Sequence, residues 1–189
     1  EMIKGHMCGR VFFVGSNENN APHIETSFLE SIELLDAHFK EHLYLLGGRP
    51  SLADFGLWAQ LYCCWTDPTA GALIEARSPH LMAWIQRMLW PKAEGQFATW
   101  SELEGTLAPF IAQQVAALFL PWSEANSAAM QAGQDEFSVS LGDMHWQQIP
   151  QKYHAKSLQV IRNKYSAVSE NAELNSILSS TACLPYLQS

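Results

Sequence analysis

Charge is scarce in this sequence. Only 16% of its 189 residues are Asp, Glu, Lys or Arg, against roughly 25% in an ordinary soluble domain. With 48% hydrophobic residues, the chain has too much apolar surface to stay disordered. Positive charge is scarcest: 11 basic residues face 19 acidic ones, for a net charge of −8. From Ala93 through Gln151 there is no Lys or Arg. A phosphate-binding surface needs clustered cations, so no nucleic-acid partner is expected. Cysteine is rare as well. Cys8, Cys63, Cys64 and Cys183 form no C-x-x-C pair, and adjacent cysteines seldom bond to each other. They read as reduced thiols of a cytoplasmic protein, with Cys63 and Cys64 as small core residues. No apolar run approaches the roughly 18 residues that span a bilayer, so no membrane partner is expected. The N-terminus lacks a signal-peptide pattern. Also missing are a fixed-period repeat, a G-x-S-x-G elbow and a G-x-x-x-x-G-K-[ST] loop. Serine hydrolysis and P-loop phosphate chemistry have no support without them.

What is present is helical periodicity. Length allows one domain, or one domain with an appendage. Ile24, Phe28, Ile32, Leu35, Phe39 and Leu43 recur at steps of three and four, one face of a helix over 24–43. Gly47-Gly48 is a stop signal. Ser51 then opens a second helix as N-cap, with Asp54 three residues on. The Ser51 hydroxyl can accept from the Asp54 N–H, and the Asp54 carboxylate from the Ser51 N–H. Losing that box should cost roughly 0.5–2 kcal/mol. The helix carries apolar residues nearly all round through Trp65, which predicts a central, buried element ended by Asp67-Pro68. A third helix starts at Ser78-Pro79. A linker with Pro91 and Gly95 precedes a helical region from Trp100 to Leu120, which Pro109 should kink or divide. A shorter helix follows Pro121.

The period then changes to two. Phe137-Ser138-Val139-Ser140-Leu141, the turn Gly142-Asp143 and Met144-His145-Trp146 predict a small β-hairpin. Two helices follow, marked by Tyr153, Leu158, Ile161 and Tyr165 and then by Leu174, Ile177 and Leu178. The fold class is mostly α, a helical bundle over residues 1–132 with a hairpin and helical extension over 133–189 packed on it.

The segment Tyr44-Leu45-Leu46-Gly47-Gly48-Arg49-Pro50-Ser51-Leu52-Ala53-Asp54-Phe55 resembles the most specific motif of the glutathione transferase C-terminal domain. That motif is Gly, two variable residues, Ser or Thr, one variable residue, Ala, Asp, met here by Gly48, Ser51, Ala53 and Asp54. Ser78-Pro79-His80-Leu81-Met82-Ala83-Trp84-Ile85-Gln86-Arg87-Met88 is similar to the family's next helix. The resemblance covers about residues 1–90. It implies a parent that joins glutathione to apolar electrophiles, with a thioredoxin-like domain ahead of the helical one, and a homodimer. No β-α-β pattern precedes Ile24, so no catalytic residue carries over and glutathione is implied for the parent only. Because the family's substrate pocket borders the first helix of this domain, the resemblance points to Met7, Val11 and Phe12 as pocket-facing. A chain starting at Glu1 reads as a piece of a longer one. The alternative is a stand-alone, non-catalytic helical interaction module, since fold does not fix function.

Other constellations have plain readings beside the chemical ones. His38 and His42, at i and i+4, could share a metal, or be two partly exposed histidines of an amphipathic helix. No third ligand is apparent, so no metal is expected. Cys8 beside Arg10 could be a reactive thiol, or a buried small residue. Trp58, Tyr62, Trp65, Trp84 and Trp90 could line an apolar pocket, or pack the core. Lys152, Lys156, Arg162 and Lys164 form a mild basic stripe that a solvated helix face explains.

Overall fold

The computed structural model describes residues 11–188. Its elements are a 3-10 turn (Val11–Val14), α1 (Ala21–Glu41), α2 (Leu52–Thr66), α3 (Pro68–Arg77), α4 (Pro79–Arg87), α5 (Trp100–Phe110), a π-helical segment (Ile111–Phe119) and α6 (Leu120–Ala132). The hairpin strands β1 (Phe137–Leu141) and β2 (Met144–Gln148) follow, then α7 (Lys152–Ser166), α8 (Ala172–Ser180) and α9 (Leu184–Leu187). The chain divides into two compact units. One is Ser27–Phe110; the other combines the described residues up to Thr26 with those from Ile111 onward. The pattern change at 132/133 falls inside the second unit.

In the unit Ser27–Phe110, the predicted face of α1 supplies Ile32, Leu35 and Phe39 to the core, joined by Leu61, Ile74, Leu81, Trp84, Ile85 and Leu107. The Trp84 ring stacks on Phe39 at 4.6 Å between centroids. The start of α4 is capped from a distance. Ser78 makes no side-chain cap, and its hydroxyl donates instead to the Ile32 carbonyl at 3.2 Å. Asp36 of α1 accepts the free N–H groups of His80 and Leu81. Asp67-Pro68 ends α2 and also begins α3, which the sequence reading missed. Asp67 accepts from the N–H groups of Thr69 and Ala70, and Pro68 occupies the first turn, where its missing N–H costs nothing.

The expectation of a buried α2 is corrected. Among its residues only Asp54 and Leu61 are buried, while Leu52 is 84% and Phe55 48% exposed. A helix that is apolar all round offers no preferred face, and this one is covered on one side. Cys63 is accordingly exposed and Cys64 half-buried, rather than both in the core. Burial pushes the Cys64 thiol pKa up, with Cys63 and Asp67 adding to it.

Helix α1 stops at Glu41, ahead of Gly47-Gly48. The glycines serve a tighter purpose. Gly47 sits at φ +113°, bridged to Tyr44 and Phe97, and a Cβ there would lie 2.6 Å from the Ala98 nitrogen. Gly48 comes so close to Gly95 that a Cβ on Gly48 would lie 2.8 Å from the Gly95 Cα, leaving it no room for a side chain. The linker after Pro91 is thus stitched to this loop, by Gly48 N–H to Gln96 and Ala98 N–H to Leu46. Gly47→Ala should destabilise this unit by roughly 1–3 kcal/mol, the usual cost of a strained backbone. A thermal midpoint within 1 °C of the parent's would refute that.

In the other unit, Ala116, Leu120, Leu158 and Cys183 form the core, with Ile111, Val115, Leu178 and Tyr186 packed around it. The predicted hairpin is present, with Leu141 opposite Met144 and Phe137 opposite Gln148. Gly142, first of the two turn residues, takes φ +61°, as a II′ turn requires. Asn126 is buried and reads the backbone of Gln151, donating to its carbonyl at 2.9 Å and accepting from its N–H at 2.6 Å. That pair fixes α6 against the exit of the hairpin. Pro109 does not divide the helical run. Backbone bonding passes from α to π geometry right after it and returns to α just before Pro121. The uninterrupted run Trp100–Ala132 is, by length and apolar composition alone, sufficient to cross a membrane. The core helix of a soluble protein meets the same measure, and Gln114, Ser123 and Asn126 are buried along it.

Candidate functional site

The local geometry of Ser51 and Asp54 is a closed capping box. Asp54 N–H donates to Ser51 Oγ at 3.4 Å, and Asp54 Oδ2 accepts from the Ser51 N–H at 2.8 Å and from its hydroxyl at 2.6 Å. The second carboxylate oxygen faces inward. Asp54 Oδ1 accepts from the Leu45 N–H at 2.8 Å and from the Trp84 indole N–H at 3.1 Å. Asp54 is fully buried, so all four bonds compensate a desolvated carboxylate. Two oxygens with two donors each leave it satisfied, and the box is tied to α4 as well as to its own helix.

The same loop is held from the other side by His38. Its Nε2 lies 3.1 Å from the Leu45 carbonyl, and its Nδ1 lies 2.8 Å from Thr106 Oγ1. A carbonyl only accepts, so Nε2 carries the proton and Nδ1 accepts from the Thr106 hydroxyl. Leu45 is therefore clamped at both ends of its backbone, by a carboxylate and an imidazole. His38 is fully buried, which corrects the reading of two partly exposed histidines. Burial first, and then the His42 ring 4.8 Å away, lower its pKa from 6.5 to about 4. With both nitrogens engaged it has no lone pair left for a metal. Among the described residues no cluster of three His, Cys, Asp or Glu side chains is arranged to hold one.

Of the residues expected to face a substrate pocket, only Val11 has a described side chain. Met7 and Cys8 lie outside the described residues, as does the Phe12 side chain. Val11 is in the 3-10 turn and half exposed. The aromatic set divides. Trp84 is core, Trp90 is 83% exposed, and Trp58, Tyr62 and Trp65 form a half-buried ladder along α2. Trp58 donates to the Ile85 carbonyl at 3.0 Å, which fixes that ladder to α4.

Residues 18–87 match the family model of the glutathione S-transferase C-terminal domain. That segment is similar to the glutathione S-transferase C-terminal domain family. The matched stretch contains the whole His38–Leu45–Asp54–Trp84 network and its capping box. The helical architecture agrees with a glutathione S-transferase C-terminal domain, to which the hairpin and helices α7 to α9 are added outside the matched residues. No curated protein and no solved structure matches the chain.

Sequence reasoning missed one further feature. Between β2 and the start of α1 lies a cavity of about 490 Å³, lined entirely by polar side chains. Its walls come from residues more than a hundred positions apart, joined by Asn20 Nδ2 donating to the Gln147 carbonyl at 3.1 Å. No local motif announces such a place.

Proposed function

We propose that this chain is the helical, electrophile-side domain of a glutathione transferase-like protein of the cytoplasm. The observation that carries this reading is the buried Asp54 box lying within the family-matched segment. Glutathione, in this reading, is bound by a thioredoxin-like partner domain. Its thiolate attacks an apolar electrophile held on the helical side, near Val11 with Met7 and Phe12. Holding the two reactants together removes much of the entropic barrier. The division of labour makes this chain inactive alone; the intact parent, by the same family resemblance, forms a homodimer.

Two measurements test the reading. The chain mixed with glutathione and 1-chloro-2,4-dinitrobenzene should convert the aryl halide no faster than buffer does. Robust glutathione-dependent turnover would overturn the division of labour. The genomic sequence upstream of the Glu1 codon should encode a thioredoxin-like β-α-β segment in frame. A stop codon followed by a start signal there would favour the non-catalytic interaction module instead.

A further inference from the structure

The polar cavity lies wholly within the unit outside Ser27–Phe110, and its charge is one-sided, with the Glu136 carboxylate in its lining. Existing hydrogen bonds decide which atoms face it free. Asn20 is 1% exposed, and its Nδ2 is consumed by the carbonyls of Gly15 and Gln147, so its Oδ1 is the atom left over. Gln147 spends its Nε2 on Glu136 Oε2 at 2.6 Å, leaving its own Oε1 and Glu136 Oε1 as acceptors. His23 and His145 also line the space, and a neutral imidazole adds an acceptor nitrogen.

Donors are few. The start of α1 would ordinarily offer backbone N–H groups to an anion. Here Ala21 N–H bonds Asn17 O, Pro22 has none, and the N–H groups of His23 and Ile24 bond Asn20 O. The N–H groups of Asn19 and Asn20 are taken by Asn17 Oδ1. No Lys or Arg lines the cavity among the described residues, and Glu136 leaves it a carboxylate in a stretch without a cation from Ala93 to Gln151.

Amide oxygens beside one carboxylate, with no Lys or Arg in the lining, suit the N–H donors and the charge of an ammonium group. We propose that this cavity binds a primary ammonium head, carried by a small aliphatic amine or by a lysine side chain. Its volume of about 490 Å³ suits a ligand of that size.

The test is an NMR titration of the whole chain at pH 8, above the ordinary imidazole range, following the ring protons of His23 and His145. The probes are 1,4-diaminobutane and Nα-acetyl-lysine amide. Saturable shifts with either support the proposal, and the tighter of the two identifies the source. Glu136→Gln should weaken binding roughly tenfold, the loss expected when a charged acceptor becomes neutral. Gln147→Glu, which adds a second carboxylate, should tighten it. The proposal is overturned by no saturable shift, by equal binding of tetramethylammonium, which has no N–H, or by tighter binding of calcium at the same residues. An unchanged affinity in Glu136→Gln would overturn it too. Glu136 is exposed, so circular dichroism of the variant should show an intact fold.

Discussion

Asp54→Ala should lower the stability of the unit Ser27–Phe110 by roughly 3–8 kcal/mol. A lost cap alone accounts for only about 0.5–2 kcal/mol of this. The rest comes from donors the substitution strands. The Leu45 N–H and the Trp84 indole N–H both end on Asp54 Oδ1 in a fully buried setting. Each would be left dry without an acceptor, at about 1–3 kcal/mol apiece. The comparison with Ser51→Ala separates the two contributions. That variant removes the hydroxyl of the cap but leaves Oδ1 and its two donors in place, so it should cost only the cap figure. Asp54→Asn should fall between them, because its amide oxygen can still serve Leu45 and Trp84 while its nitrogen cannot accept from Ser51. Urea unfolding followed by tryptophan fluorescence reads all three, since Trp84 is itself a partner of the carboxylate. Equal costs for Asp54→Ala and Ser51→Ala would mean that the inward-facing half of the network contributes nothing.

The same residue shows which parts of the molecule were legible in the sequence. The capping box spans three positions, so its spacing announces it. The Oδ1 partners lie nine and thirty positions away, brought in by the packing of the loop and α4, and nothing local marks them. Elements with one-sided periodicity were readable for a related reason. The face of α1 and the alternation of β1 each state which side is to be covered. Helix α2 states no such side, and its burial was misjudged. Helix α3 was missed because one dipeptide, Asp67-Pro68, carries both a stop and a start. The prolines of the long helical run looked like breaks, yet a π-helical segment between them keeps the run continuous. His38 could have been placed from its register: it follows Leu35 by three and precedes Phe39 by one on a stripe that is otherwise apolar. A histidine there has to be satisfied internally or not fit at all. The polar cavity was beyond any local reading, because Asn20 and Gln147 meet only after the hairpin has packed.

Acidification should weaken the fold through His38 well before most carboxylates are neutralised. Its native pKa, about 4, lies below the 6.5 of an unfolded imidazole. Burial is the main cause, followed by repulsion from His42, while bonds to Leu45 and Tyr44 and the charge of Asp54 oppose the drop without cancelling it. Above pH 6.5 both states are neutral at this site, and its contribution is fully present. As pH falls from 6.5 toward 4, the unfolded chain takes up a proton that the native chain refuses, so stability declines. Below about 4 both states are protonated and the loss is complete. Its size follows from the gap between the two pKa values, roughly 3 kcal/mol. The geometry gives the molecular reason. Protonation puts a second N–H on the ring, and Nδ1 can then no longer accept from Thr106, so the hydroxyl has to turn away. His38→Gln keeps polar atoms near Leu45 and Thr106 but cannot titrate. Unfolding curves of both proteins between pH 7.5 and 4 contain the same carboxylates, Glu102 with its depressed pKa among them. Their difference isolates the imidazole. The wild-type curve should drop more steeply than the variant's across that window, and the two should run parallel above pH 7. Parallel curves throughout would show that His38 is not the group that makes this unit sensitive to acid.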